Sequence, residues 1–162
     1  MSMPINVLFA VSECVPFIKT GGLADVAGAL PKALAGMGVS VKVLLPAYAQ
    51  LMPLLARADP LGEVFGIDGV ANLYGVHTDG IDLLLVEAPH LYKRPGGPYI
   101  TEAGVDWPDN HVRFAAFSRI AANIARDGVG GWVPDVLHVH DWQTALAPAY
   151  LKLDRRGAPP SI

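Results

Sequence analysis

Cysteine is nearly absent from this 162-residue chain. Cys14 stands alone, which excludes an internal disulfide and any zinc site built from clustered cysteines. Charge is scarce too: only 17% of residues are Asp, Glu, Lys or Arg, against roughly 25% in an average domain. With 52% hydrophobic residues, the chain can bury a core and does not read as disordered. Long apolar runs are missing despite a mean hydropathy of +0.36. The longest charge-free run in the middle, Val43 to Ala56, is broken by Pro46 and Pro53 and falls short of the ~20 residues a spanning helix needs. No basic stretch opens the chain, the first Lys or Arg being Lys19, so no secretory signal is expected. The sequence reads as soluble and cytoplasmic, with no membrane partner. A formal charge of −3 argues against a broad nucleic-acid surface. Internal repeats and low-complexity tracts are also lacking, and the length suits a single domain.

What is present is an α/β pattern. Ile5 to Val11 is a β-rich apolar run, and Leu23, Val26, Ala27, Leu30, Leu34 and Met37 recur at helical spacing after the loop Lys19-Thr20-Gly21-Gly22. Pro31 falls inside that helix and is expected to kink or split it. Val39 to Leu45 reads as a second strand, completing a β-α-β unit with the continuous apolar strands of a parallel sheet. Ala47 to Ala58 suits a short helix broken at Pro53. Gly62–Asp68, Val70–His77 and Ile81–Val86 look like strands, the last two joined by a tight turn at Thr78-Asp79-Gly80. Ala88 to Asp109 has no periodicity and reads as a long loop, His111 to Arg126 as a helix, and Val136 to Val139 as a strand followed by a helix through Leu153. Arg155 to Pro160 reads as a loop, and Ser161-Ile162 as the start of a further strand.

Three constellations could carry chemistry. In the first, Lys19 to Asp25 lies between the opening strand and its helix, where open α/β sheets bind ligands. Adjacent Gly21 and Gly22 allow close backbone approach, helix-start amides favour an anion, and Lys19 adds a mobile positive charge suited to a diphosphate. The chain has no Gly-Lys pair and lacks three spaced glycines, so this is neither a Walker loop nor the dinucleotide fingerprint. A plain glycine turn with a solvated lysine fits the same residue types, and Asp25 could simply favour the positive helix end. In the second, alternation puts His138 and His140 on one strand face with Asp141 at its carboxyl end. Asp141 could hold a sugar hydroxyl or act near a reacting centre, and Trp142 could stack on a sugar ring. On spacing alone, a core histidine and a helix-capping aspartate remain the simpler account. No third metal ligand is evident, so no metal is expected. The third is the Pro-, Gly- and aromatic-rich loop through Tyr99, Trp107 and Asn110, which suits carbohydrate or a stiffened surface loop. Cys14 reads as a buried thiol, not a nucleophile.

Taken together, these residues resemble the bacterial glycogen synthase and plant starch synthase family. The resemblance rests on Ser12-Glu13, Lys19 to Val26 with Gly28 to Pro31, Leu44-Leu45-Pro46, Ala88 to Tyr92, Pro98-Tyr99, Asp109-Asn110 with Arg113-Phe114, and Pro134-Asp135 through His140-Asp141-Trp142 to Leu151. It covers nearly the whole chain and is weakest between Ala47 and His77. It implies a Rossmann-like parallel sheet flanked by helices, with a β-hairpin, forming the amino-terminal domain of a two-domain GT-B glycosyltransferase. Residues 1–162 would be the incomplete amino-terminal domain, with the carboxy-terminal donor-binding domain absent and this piece silent alone. Such enzymes transfer glucose from ADP-glucose to the non-reducing end of an α-1,4-glucan with retention, using no cofactor or metal. By that resemblance Lys19 and Asp141 are the catalytic candidates. Lys19 would meet the donor's phosphates, Gly21 and Gly22 would allow close approach, and Asp25, Tyr99 and Asp141 would face glucose or acceptor, with Asn110 beside them. A non-catalytic carbohydrate- or nucleotide-binding module, or another nucleotide-sugar transferase of the same architecture, are the alternatives.

Overall fold

A computed structural model describes residues 4–154. The loop and strand start expected over residues 155–162 lie outside the described residues. Six strands form one sheet in the order β3-β4-β5-β2-β1-β6. The strands are β1 (Asn6–Ala10), β2 (Ser40–Pro46), β3 (Asp59–Phe65), β4 (Val70–Thr78), β5 (Ile81–Glu87) and β6 (Val136–Val139). The four-strand block β5-β2-β1-β6 is parallel, while β3 and β4 pair antiparallel at one edge. Leu8, Phe9, Ala10, Val43, Leu44, Leu45, Leu84 and Leu85 are at most 1% exposed, as strands covered on both faces require. Helix α1 (Gly22–Gly36) packs on β2 and β5, and α4 (Asn110–Asp127) packs on β3, β6 and β1. The chain leaves β1 for β2 on one side and later returns as β6 on the other. The carboxyl ends of β1 and β6 therefore flank the point where the winding reverses, which is where open α/β sheets place ligands.

Several boundaries differ from the sequence expectation. Helix α1 runs unbroken through Pro31, which is buried; packing there outweighs the missing N–H hydrogen bond. Strand β3 begins at Asp59 instead of Gly62, carrying Pro60 on an edge strand with an irregularity before Gly62, a position where proline is tolerated. It stops at Phe65 because Gly66 N–H donates to Gly69 O at 2.7 Å and turns the chain. The hairpin at Asp79-Gly80 holds both residues at positive φ, 52° and 71°, the primed turn that matches strand twist. The stretch broken at Pro53 is a short 3-10 turn, Ala49–Leu51, followed by α2 (Met52–Leu55). The expected loop over Ala88 to Asp109 contains a helical turn, α3 (Pro89–Tyr92), and a bridge between Ile100 and Asp106. Its anchor is the buried Arg113, which donates to Leu91 O at 2.7 Å and Pro98 O at 2.8 Å. The helix after β6 is α5 (Ala147–Leu153), because residues 142–146 form three-residue turns first.

Candidate active site

Strand β1 delivers Ser12 and Glu13, both buried, to its carboxyl end. The chain then loops through Cys14 to Gly21 before α1 begins. Gly28 explains how closely helix and loop sit: a Cβ there would strike the Val15 side chain and lie 2.8 Å from Val15 O. Cys14 is fully buried, and burial pushes its thiol up to about 12, so it is inert as a nucleophile. Gly21 and Gly22 are exposed and a Cβ on either would meet nothing within 4 Å. No neighbour in the protein demands glycine at these positions, and the space beside them is open to a ligand.

The loop's charges are already arranged. Lys19 Nζ bonds both Asp25 carboxylate oxygens at 2.7 Å, with the two side chains 51% and 58% exposed. A pair this exposed contributes about 1 kcal/mol or less, so an incoming phosphate can compete for the lysine. Glu13 Oε2 accepts from Thr20 N (2.5 Å), Thr20 Oγ1 (2.9 Å) and Gly21 N (3.1 Å). The two loop amides just before α1 therefore hold an internal carboxylate, leaving the helix-start amides from Gly22 onward outside this pairing.

Tyr99 reaches this loop from the long connection. Its hydroxyl lies 2.7 Å from Ser12 Oγ and donates to Glu13 Oε1 at 3.3 Å; burial pushes its pKa well above the usual tyrosine range. The ring packs near Phe114 (5.7 Å between centroids) and Trp142 (6.3 Å), and Phe114 and Trp142 meet edge to face at 5.1 Å. Trp142 remains 54% exposed. Asn110 uses both ends of its amide on the protein, donating to Tyr99 O at 2.8 Å and accepting from Arg113 at 2.7 Å. It thus holds Tyr99 in place.

At the end of β6 the two histidines share a face as expected, with ring centroids 4.5 Å apart and His140 4.3 Å from Phe9. Burial lowers both pKa values, helped in His140 by its neighbour His138, so both rings are neutral near pH 7. Asp141 is exposed and has φ 58°, a left-handed backbone uncommon for a residue with a side chain. Thr144, fully buried, braces this turn: its hydroxyl accepts from His140 N and donates to His140 O, both at 2.7 Å. Asp141 is not the cap of a regular helix, since α5 starts only at Ala147.

The structure thus brings Lys19, Gly21, Gly22, Asp25 and Tyr99 together around the end of β1, with Asp141 at the end of the adjacent strand and Asn110 behind Tyr99. Sequence reasoning gave no role to Glu13, Thr144 or Phe114. Only an acid placed just before a donor-rich loop hinted at the first. Among the described residues no three His, Cys, Asp or Glu side chains converge as a metal site requires, and no helix is long and apolar enough to cross a membrane. A cavity of about 440 Å³ between β3 and the end of α4 lies apart from these residues. The candidate residues line an open face at the carboxyl ends of β1 and β6.

The chain is similar to known proteins along nearly its whole length. The chain is 52% identical to glycogen synthase 2 of Bradyrhizobium diazoefficiens over 98% of its length and 33% of the relative's. It is 48% identical to the glycogen synthase of Roseobacter denitrificans with the same coverage. The catalytic domain of starch synthase IV from Arabidopsis thaliana, solved with ADP and acarbose, superposes with a TM-score of 0.71 at 30% identity, covering 94% of this chain and 31% of that one. The chain therefore spans about a third of the length of the relatives it matches. Residues 6–160 match the family model described as the starch synthase catalytic domain, and with the parallel sheet, the glycine loop and the turn after β6 in place, the chain belongs to that family.

Proposed function

We propose that this chain is the amino-terminal, Rossmann-like part of a GT-B glycogen synthase that transfers glucose from ADP-glucose to the non-reducing end of an α-1,4-glucan with retention. The observation that carries the reading is the Lys19–Gly22 loop: an exchangeable cation and two glycines beside empty space, at the carboxyl end of β1 where the sheet reverses. In this reading Lys19 leaves Asp25 for the donor's diphosphate and neutralises the charge that builds as the sugar–phosphate bond breaks. Charge stabilisation of this kind is typically the largest catalytic contribution. Gly21 and Gly22 admit the phosphates, and the amides of Gly22 and the first turn of α1 face them with the positive end of the helix.

Asp25, once released, and Asp141 accept hydroxyl hydrogen bonds from the transferred glucose or the acceptor. Tyr99 and Trp142 offer ring surface to the sugar, and Asn110 acts through Tyr99. The ADP and acarbose in the Arabidopsis structure and the names of the bacterial relatives support a nucleotide-sugar donor and a glucan acceptor. The enzyme is cytoplasmic in this reading.

Glucosyl incorporation into glycogen by the full-length protein tests the proposal. ADP-glucose should support transfer and UDP-glucose should be much poorer, while the 162-residue chain alone should be silent. Transfer by the short chain, or a preference for UDP-glucose, contradicts it.

A further inference from the structure

We propose that Glu13 is the positioning residue of the Lys19–Gly22 loop, an inference that rests on the donor-binding reading above. Glu13 is a carboxylate only 4% exposed, and a buried carboxylate is retained only where hydrogen bonds replace its water. Its partners are confined to two places. Oε2 takes Thr20 N, Thr20 Oγ1 and Gly21 N, and Oε1 takes the Tyr99 hydroxyl. One side chain from the end of β1 therefore ties the glycine loop to the long connection carrying Tyr99.

The loop needs such a tie. Glycine has the most backbone freedom to lose, Gly21 and Gly22 have no side chains to pack and stand beside open space, and Lys19 is held only by a half-exposed pair. A carboxylate beneath the loop fixes the Thr20–Gly21 amides before the donor arrives, which is preorganisation. It also shifts the anion-binding amides along the chain: with Thr20 N and Gly21 N already paired, those left for a diphosphate begin at Gly22. The opposite role, a stand-in anion that the diphosphate displaces, makes the opposite prediction, because removing a competitor tightens donor binding.

Steady-state kinetics of the full-length protein with ADP-glucose, assayed well below each variant's melting temperature, separate these. Glu13→Asp keeps the charge but shortens the reach by one methylene, whereas Glu13→Gln keeps the reach and an accepting oxygen for the loop. Positioning predicts that Glu13→Asp raises the KM for ADP-glucose about tenfold or more, with Glu13→Gln within about threefold of the parent. If Glu13→Asp does not fold, Thr20→Val, which deletes one donor to Oε2, should still raise that KM severalfold. A Glu13→Asp or Thr20→Val variant with unchanged KM overturns the proposal, as does a lowered KM in Glu13→Gln. Lys19→Ala is the control: if it too leaves KM and kcat unchanged, the donor-binding reading falls; if it impairs them while Glu13→Asp does not, only the positioning role falls.

Discussion

Thr144→Val is the sharpest test of how the fold aims Asp141. Thr144 is fully buried and its hydroxyl makes two 2.7 Å bonds to the backbone of His140. Valine keeps the branched shape and puts a methyl group where the hydroxyl was. Two hydrogen bonds of roughly 1 kcal/mol net each disappear, and burying backbone groups without partners raises the total toward ~3 kcal/mol. Asp141 at φ 58° stores about 1 kcal/mol of backbone strain, so its relaxation offsets only part of the loss. A net ~2 kcal/mol lowers the melting temperature by about 4–8 °C for a domain of this size. Thr144→Ser restores the hydroxyl and should recover most of that. Thermal unfolding followed by circular dichroism reads both variants. A Thr144→Val protein melting within about 1 °C of the parent, or a serine variant as damaged as the valine one, refutes the brace.

Gly28→Ala should destabilise by roughly 1–3 kcal/mol in urea unfolding, because the added methyl meets the Val15 carbonyl at 2.8 Å and forces helix and loop apart. Gly21→Ala should leave stability within about 0.5 kcal/mol, since its φ of −150° suits any residue and its surroundings are empty; in the full-length protein it should nevertheless raise the KM for ADP-glucose. Burial depresses the pKa of His138 and His140, so below the ordinary histidine value of ~6.5 the unfolded chain binds more protons than the folded one. Stability is therefore full above that value and falls as pH drops through the window beneath it. His138→Gln should flatten the change in unfolding free energy between about pH 7 and pH 5.

The parallel core was legible because each of its strands is a short, largely apolar run, as burial on both faces favours, with Lys42, Asp82 and His138 the polar exceptions inside the runs. Asp79-Gly80 announced its hairpin through the positive φ that both residues adopt. The ordering of the long connection was not legible, since its anchor, Arg113, reads as one polar position on an amphipathic helix, and only the fold reveals Leu91 O and Pro98 O within its reach. The start of β3 was misplaced because Pro60 looks like a breaker until the strand is known to be an edge. At the site, the residues carrying charge or lacking side chains, Lys19, Asp25, Gly21 and Gly22, declare themselves by type. Glu13 and Thr144 do not, because their importance lies in hydrogen bonds to backbone atoms brought near by the loop and turn.

The central claim is that the cation beside the paired glycines receives the donor's diphosphate. Calorimetric titration of ADP into the full-length protein and its Lys19→Ala variant tests this directly. Loss of one charge-assisted contact to phosphate corresponds to roughly 1.5–3 kcal/mol, so ADP should bind the variant at least tenfold more weakly with the melting temperature nearly unchanged. Equal affinity in the two proteins would contradict the account.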